Sequence, residues 1–222
     1  MHFIFKENMN NKNFFKNLLS ILFATFPIAI ILGNMLINIY IVLIGLLFLI
    51  FQFNFTLFKN KTFLILIFFF ISLLINLIFS DNFDLSYPRV FKFFFIVFFI
   101  LSFEYLVDLK KSYDYKIFKF WSVILTIFMI DLFFEFIFGH NTLGMKAYMP
   151  SRLSGFFGDE LVAGYFLFGF ALIYFSFIKE HFNNNIYLLL ITFTLIIVLS
   201  LIIGERSNFI KLFLSILILI FT

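Results

Sequence analysis

Apolar residues in this chain come in long unbroken runs, not in the three-to-four spacing of a helix laid on a soluble core. The runs cover 17–32, 35–53, 62–80, 90–107, 117–138, 161–178 and 186–203, and a last one begins at 208. At about 1.5 Å of rise per residue, roughly 20 apolar residues cross the hydrocarbon of a bilayer. Inside lipid each segment must satisfy its own backbone, so such runs are helices, and Pro27 within the first is tolerated. The pattern predicts an all-α, polytopic membrane bundle. It has about seven complete transmembrane helices and the start of an eighth, in one transmembrane domain over 1–222. The last run reaches only about fourteen residues, short of what a span needs. It has no polar tail, so the chain is expected to be the N-terminal part of a longer protein.

The breaks between runs carry the polar residues. Gly33-Asn34 is a short turn, and Lys59 and Lys61 mark the next loop. A polar loop is expected over 81–89, with its own break at Ser86-Tyr87-Pro88-Arg89, and a charged loop over 108–116. The longest break is a polar island over 139–160; the last is Gly204-Glu205-Arg206-Ser207. Lys6, Lys12 and Lys16 before the first run imitate a signal peptide, but no small-residue cleavage site precedes Met35, so this helix reads as uncleaved. With the N-terminus in the cytoplasm, ten basic residues fall inside and six outside, the bias expected of a membrane protein.

Composition narrows the function. With 64% apolar residues and a mean hydropathy of +1.12, an ordinary soluble core is excluded. The net charge of +4 sits in short loops between spans, where it signals topology and not nucleic-acid binding. The absence of cysteine excludes disulfides, thiolate metal sites and cysteine nucleophiles. His2 and His181 fall on the opposite side from His140, so no metal site assembles and no cofactor is implied. The 43 phenylalanines fit a biased base composition and receive no functional weight.

The candidate chemistry lies in and beside the island. Within 150–165 stand Arg152, the adjacent carboxylates Asp159 and Glu160, and Gly155, Gly158 and Gly164. A polar cluster beside hydrocarbon is costly and is usually kept for function. All three arginines of the chain, Arg89, Arg152 and Arg206, fall on the predicted outer side. The planar guanidinium fork suits bidentate recognition of phosphate or carboxylate, so an anionic ligand is expected there. Asp131 and Glu135 are i,i+4 neighbours on one face of the fifth span, about 10 Å inside its outer end. They read as a general base or as partners of an outer arginine; a structural ion pair or a protonated, hydrogen-bonded acid serves equally well. Gly155 and Gly158 let the backbone turn sharply and approach a ligand. Asp159 and Glu160 already neutralise the start of the sixth helix, so the anion is assigned to the arginines and the carboxylates to capping or to accepting hydroxyls. Glu205 and Arg206 can simply pair with each other.

The stretch Arg152-Leu153-Ser154-Gly155-Phe156-Phe157-Gly158-Asp159-Glu160-Leu161-Val162-Ala163-Gly164 resembles the arginine-containing loop of bacterial O-antigen ligases and O-antigen polymerases. Upstream, the segment from Asp131 through Glu135, Gly139, His140 and Asn141 to Gly144 is similar to the Asp…Gln…Gly…Gly stretch of that family. Downstream, Gly204-Glu205-Arg206 is similar to its Gly-Glu-Arg turn. The likeness runs over 131–207; earlier residues match in hydropathy, with Arg89 similar to a basic position. Glu135 departs from the family's Gln, and the family's large extracytoplasmic loop with its histidine has no counterpart here. The resemblance implies a multi-pass glycosyltransferase of the bacterial inner membrane, acting in lipopolysaccharide or other surface-polysaccharide assembly. Such enzymes pass a glycan from a polyprenyl-diphosphate carrier to a sugar hydroxyl on a lipid-anchored or glycan acceptor. Arg152 and Arg206, then Arg89, would hold the diphosphate and stabilise the charge that develops on it.

A flippase for lipid-linked oligosaccharide also needs cationic residues in a membrane cavity. It would place them along a path at mid-depth, whereas these arginines gather at one rim, and paired Gly or Pro interruptions of two halves are not apparent. A non-catalytic membrane subunit is the third class.

Overall fold

The structure is a computed structural model. It describes all residues except 1, 53–56, 58, 110, 147–148, 150–151, 159–161, 182–184 and 222, and the side chains of 2–13, 108–114 and 219–221 are also left out of the description. The described residues form eight α-helices: α1 (His2–Ile31), α2 (Asn34–Gln52), α3 (Lys61–Ile78), α4 (Phe83–Leu109), α5 (Lys111–Phe138), α6 (Ala163–His181), α7 (Ile186–Ile202) and α8 (Arg206–Phe221). One 3-10 turn, Gly155–Phe157, interrupts the long α5–α6 connection.

Six helices, α1 to α6, are long and apolar enough to cross a membrane, and α7 is apolar over a shorter length. Their outer surfaces are made of the same residues as their cores. On α3 only Phe63 is buried, while Ile65, Phe68 and Ile78 are each at least 70% exposed. In water such a face would be an aggregation surface; against lipid tails it is at rest. The chain is a helical, multi-pass membrane protein.

Two of the expected loops are helix. The polar stretch 81–89 is helical from Phe83 onward, with Pro88 inside α4. Proline removes only one hydrogen bond, near the start of that helix. The charged stretch 108–116 continues α4 to Leu109 and opens α5 at Lys111. Lysine, aspartate and serine end a membrane span without ending a helix, because they stop hydrocarbon burial and cost little helix propensity. The predicted spans thus track the apolar windows, whereas the helices run past them at several ends.

The chain divides into two compact units, Met1–Tyr115 and Lys116–Thr222. In the first, α4 packs against α1, α2 and α3, and α1 also meets α2. The close approach of α2 to α4 depends on Gly45: a Cβ there would stand 3.0 Å from the Phe95 carbonyl oxygen. Phenylalanine does have a packing role. Phe23 and Phe26 both set their rings 5.1 Å from Phe99, joining α1 to α4. At the other end of α3, Asn60 caps the helix through the amides of Thr62 and Phe63, and Glu104 of α4 accepts from the Asn60 amide and the Thr62 hydroxyl. In the second unit, α6, α7 and α8 pack on one another, and α5 joins α6 through edge-on pairs, Trp121 with Phe170 at 5.2 Å and Phe128 with Phe166 at 4.9 Å.

Candidate functional site

The site lies within the second unit and is built from the end of α5 outward. Asp131 and Glu135 share a face, as their spacing requires, and are 1% and 2% exposed. Among the described residues neither is the partner of an arginine. Glu135 receives the chain as it returns toward α6: its Oε2 accepts the amides of Gly155 at 2.6 Å and Ser154 at 3.1 Å, and its Oε1 accepts the Ser154 hydroxyl at 3.3 Å. Asp131 Oδ1 accepts the amide and the hydroxyl of Thr142, at 2.8 and 2.6 Å. Buried carboxylates are tolerable when several N–H and O–H groups converge on them, and each such charge-assisted bond is stronger than a neutral one. Both carboxylates thus anchor the loop, as hydrogen-bonded groups beneath it. Asp131 Oδ2 is buried without a hydrogen-bond partner among the described residues.

Asn141, wholly buried, ties the two strands of the loop together. Its Oδ1 accepts the amides of Leu143 and Met145, its Nδ2 donates to the Gly155 carbonyl at 2.7 Å, and its own amide donates to the Met145 carbonyl. Nothing in the order of residues singled this asparagine out beyond its place after Gly139-His140. His140 is part of the turn: its Nδ1 lies 3.0 Å from the Asn141 carbonyl oxygen, and its ring packs on Phe134 and Phe138. Gly155 has φ +55°, the left-handed conformation open to glycine, and an added Cβ would come within 2.7 Å of Phe128 Cε2. This glycine brings the backbone close to α5.

Two residues before Ser154, the anchored loop carries Arg152. Arg152 lines a cavity of about 990 Å³ together with Tyr165 of α6, Ser200 of α7, and Glu205, Arg206 and Ser207 of the α7–α8 turn. Gly204, at φ +84°, reverses the chain there. The Glu205 carbonyl accepts the amides of Asn208 and Phe209, which opens α8, and its side-chain Oε2 accepts the Asn208 amide group. Glu205 thus pairs with Asn208, not with Arg206 as the sequence allowed. Gly164 makes room for it: a Cβ on that residue would stand 2.6 Å from Glu205 Cδ and 3.1 Å from Asn208 Nδ2. Among the described residues, neither Arg152 nor Arg206 has an ion-pair partner.

Of the residues expected to act, Arg152 and Arg206 are brought together, and Asp131 and Glu135 stand behind the loop that presents Arg152. Asp159 and Glu160 lie outside the described residues. Arg89 belongs to the first unit, where it lines a separate hollow of about 470 Å³ with Asn76, Ser80, Asp81, Asn82 and Ser86. Tyr165 and Ser200 join the cavity by tertiary folding alone, whereas Glu205 and Ser207 come with Arg206, which they flank in sequence. Among the described residues no three His, Asp or Glu side chains gather as a metal ion would need. Compared with models of known protein families, with curated proteins and with solved structures, the chain matches none.

Proposed function

We propose that this protein transfers a glycan from a polyprenyl-diphosphate carrier to a sugar hydroxyl, in the manner of O-antigen ligases and polymerases, with Arg152 and Arg206 gripping the diphosphate. The observation that carries this reading is the convergence of two arginines, far apart in sequence and without ion-pair partners among the described residues, on one large cavity. A cavity of that size and charge at the end of apolar helices suits a diphosphate whose lipid tail stays in the bilayer. As the bond from the sugar's anomeric carbon to the diphosphate oxygen breaks, negative charge grows on the leaving group. Guanidinium groups held in place beforehand stabilise that charge without reorganising. The acceptor's hydroxyl oxygen forms the new bond to the same carbon, and its proton leaves to solvent or to the departing diphosphate.

Topology supports the reading. Counted with the N-terminus in the cytoplasm of a bacterial inner-membrane protein, the island follows five spans and the Gly204 turn follows seven, so both emerge on the extracytoplasmic face. This requires α7, 17 residues long, to cross as well, which local thinning of the bilayer or flanking side chains permit at modest cost. The common cavity of Arg152 and Arg206 agrees with that count.

The test is the surface-polysaccharide profile after deletion of the complete native gene, beside an Arg152→Ala allele. Loss of long chains with a lipid core still carrying one repeat indicates a polymerase. A bare core with polymer held on the lipid carrier indicates a ligase. A wild-type profile from Arg152→Ala rejects the role given to Arg152.

A further inference from the structure

The cavity holds one feature that a plain anion site would avoid. Glu205 lines it beside the two arginines, and its carboxylate is fixed in place. Oε2 is taken by the Asn208 side chain, and the carboxylate rests in the space left by the missing side chain of Gly164. Oε1 has no partner among the described residues and is not buried among them. Asn208, 2% exposed, cannot swing away to follow a ligand. A fixed carboxylate in an anion cavity, neutralised by neither arginine, needs a purpose.

Resting on the diphosphate reading above, we infer that Glu205 makes this cavity prefer a diphosphate lipid that still carries its sugar over the bare diphosphate left after transfer. An ionised carboxylate only accepts hydrogen bonds. Bare diphosphate presents acceptor oxygens and negative charge, so its approach to Oε1 is repulsive. A sugar on the same diphosphate presents hydroxyl donors, and a carboxylate accepts those in strong, charge-assisted bonds. One group therefore attracts the donor substrate and opposes the spent carrier, which is selectivity through a built-in repulsion. The same feature favours release of the spent carrier once the sugar has left.

The experiment uses the full chain in nanodiscs of neutral lipid and measures binding of two probes: polyprenyl diphosphate, and the same lipid bearing one glucose. Wild type is expected to bind the glycosylated probe at least about fivefold more tightly, and Glu205→Gln, which can still accept from Asn208, to bring that ratio to about one. The bare probe should bind Glu205→Gln about three- to tenfold more tightly than wild type, as repulsion is removed. Should Glu205→Gln fail to fold, Glu205→Asp serves: it keeps the charge, withdraws the oxygen from the sugar, and should lose the preference without tighter binding of the bare probe. If Glu205 merely dilutes the positive charge of the arginines, Glu205→Gln tightens both probes alike and leaves the ratio unchanged, and the inference is wrong. A wild-type preference for the bare probe rejects it too. Arg152→Ala and Arg206→Ala report separately on the underlying reading: if neither probe binds wild type, or both bind regardless of the arginines, the diphosphate site itself is rejected.

Discussion

Each compact unit has a hollow lined by arginine, and the two differ in what stands behind it. Around Arg89, at the start of α4, none of the lining residues is buried, and the polar groups beside it are tied by a Ser80–Ser86 hydroxyl contact of 2.9 Å and a bond from the Ser86 amide to the Asn82 carbonyl. Around Arg152 and Arg206 the walls rest on buried polar groups: Glu135, Asp131, Asn141 and Ser154 beneath the loop, and Asn208 beneath the turn. Burying such groups inside a membrane protein is costly unless they are matched; here Glu135, Asn141 and Ser154 are hydrogen-bonded, while Asp131 Oδ2 and Asn208 Oδ1 have no partner among the described residues. An arginine at a membrane surface is common enough to mean little. An arginine on a backbone held by buried carboxylates is a placed group.

That contrast can be broken by substitution, and the largest effect is expected at Glu135. Glu135→Ala leaves the buried amides of Ser154 and Gly155 unsatisfied and should destabilise the loop by about 3–5 kcal/mol. Hydrogen exchange at those two amides measures it directly, with protection expected to fall by more than about a hundredfold. Gly155→Ala combines a left-handed φ with a clash on Phe128 and should cost about 2–4 kcal/mol, read as a lowered midpoint of thermal unfolding in detergent. Gly164→Ala must displace the Glu205 carboxylate or part α6 from α8, at about 1–3 kcal/mol, and the same unfolding series ranks it. Asp131→Asn keeps an oxygen for the Thr142 amide and hydroxyl, so a loss of about 1 kcal/mol is expected. Ser86→Ala and Asp81→Asn in the other hollow should stay within about 0.5 kcal/mol of wild type. A loss there as large as at Glu135 would erase the distinction between the two hollows.

What could be read from the residue order divides along physical lines. The demand of the bilayer is one-dimensional, so the apolar windows of α1 to α6 were legible from hydropathy alone. Helix ends were not: the charges of 108–116 and the proline at 88 mark where lipid stops, and hydrogen bonding carries the helices past them. The shared face of Asp131 and Glu135 follows from a 3.6-residue turn, but what that face meets is decided by a loop folding back on it, and the carboxylates turned out to bind Thr142, Ser154 and Gly155. The glycine at 155 announced an unusual backbone without saying which neighbour it admits. The loop-tying roles of Asn141 and Asn208 were invisible, because asparagine in a turn has many ordinary uses and only burial tells them apart. The meeting of Arg152 with Arg206 was anticipated only as a shared side of the membrane.

The central claim is that these two arginines share one diphosphate. A double-mutant cycle for binding of polyprenyl diphosphate to the full chain in nanodiscs tests it most directly. Arg152→Ala and Arg206→Ala are each expected to weaken binding by about ten- to a hundredfold, and the double variant by less than the product of the two, since both contact one ligand. Unchanged affinity in either single variant would contradict the account.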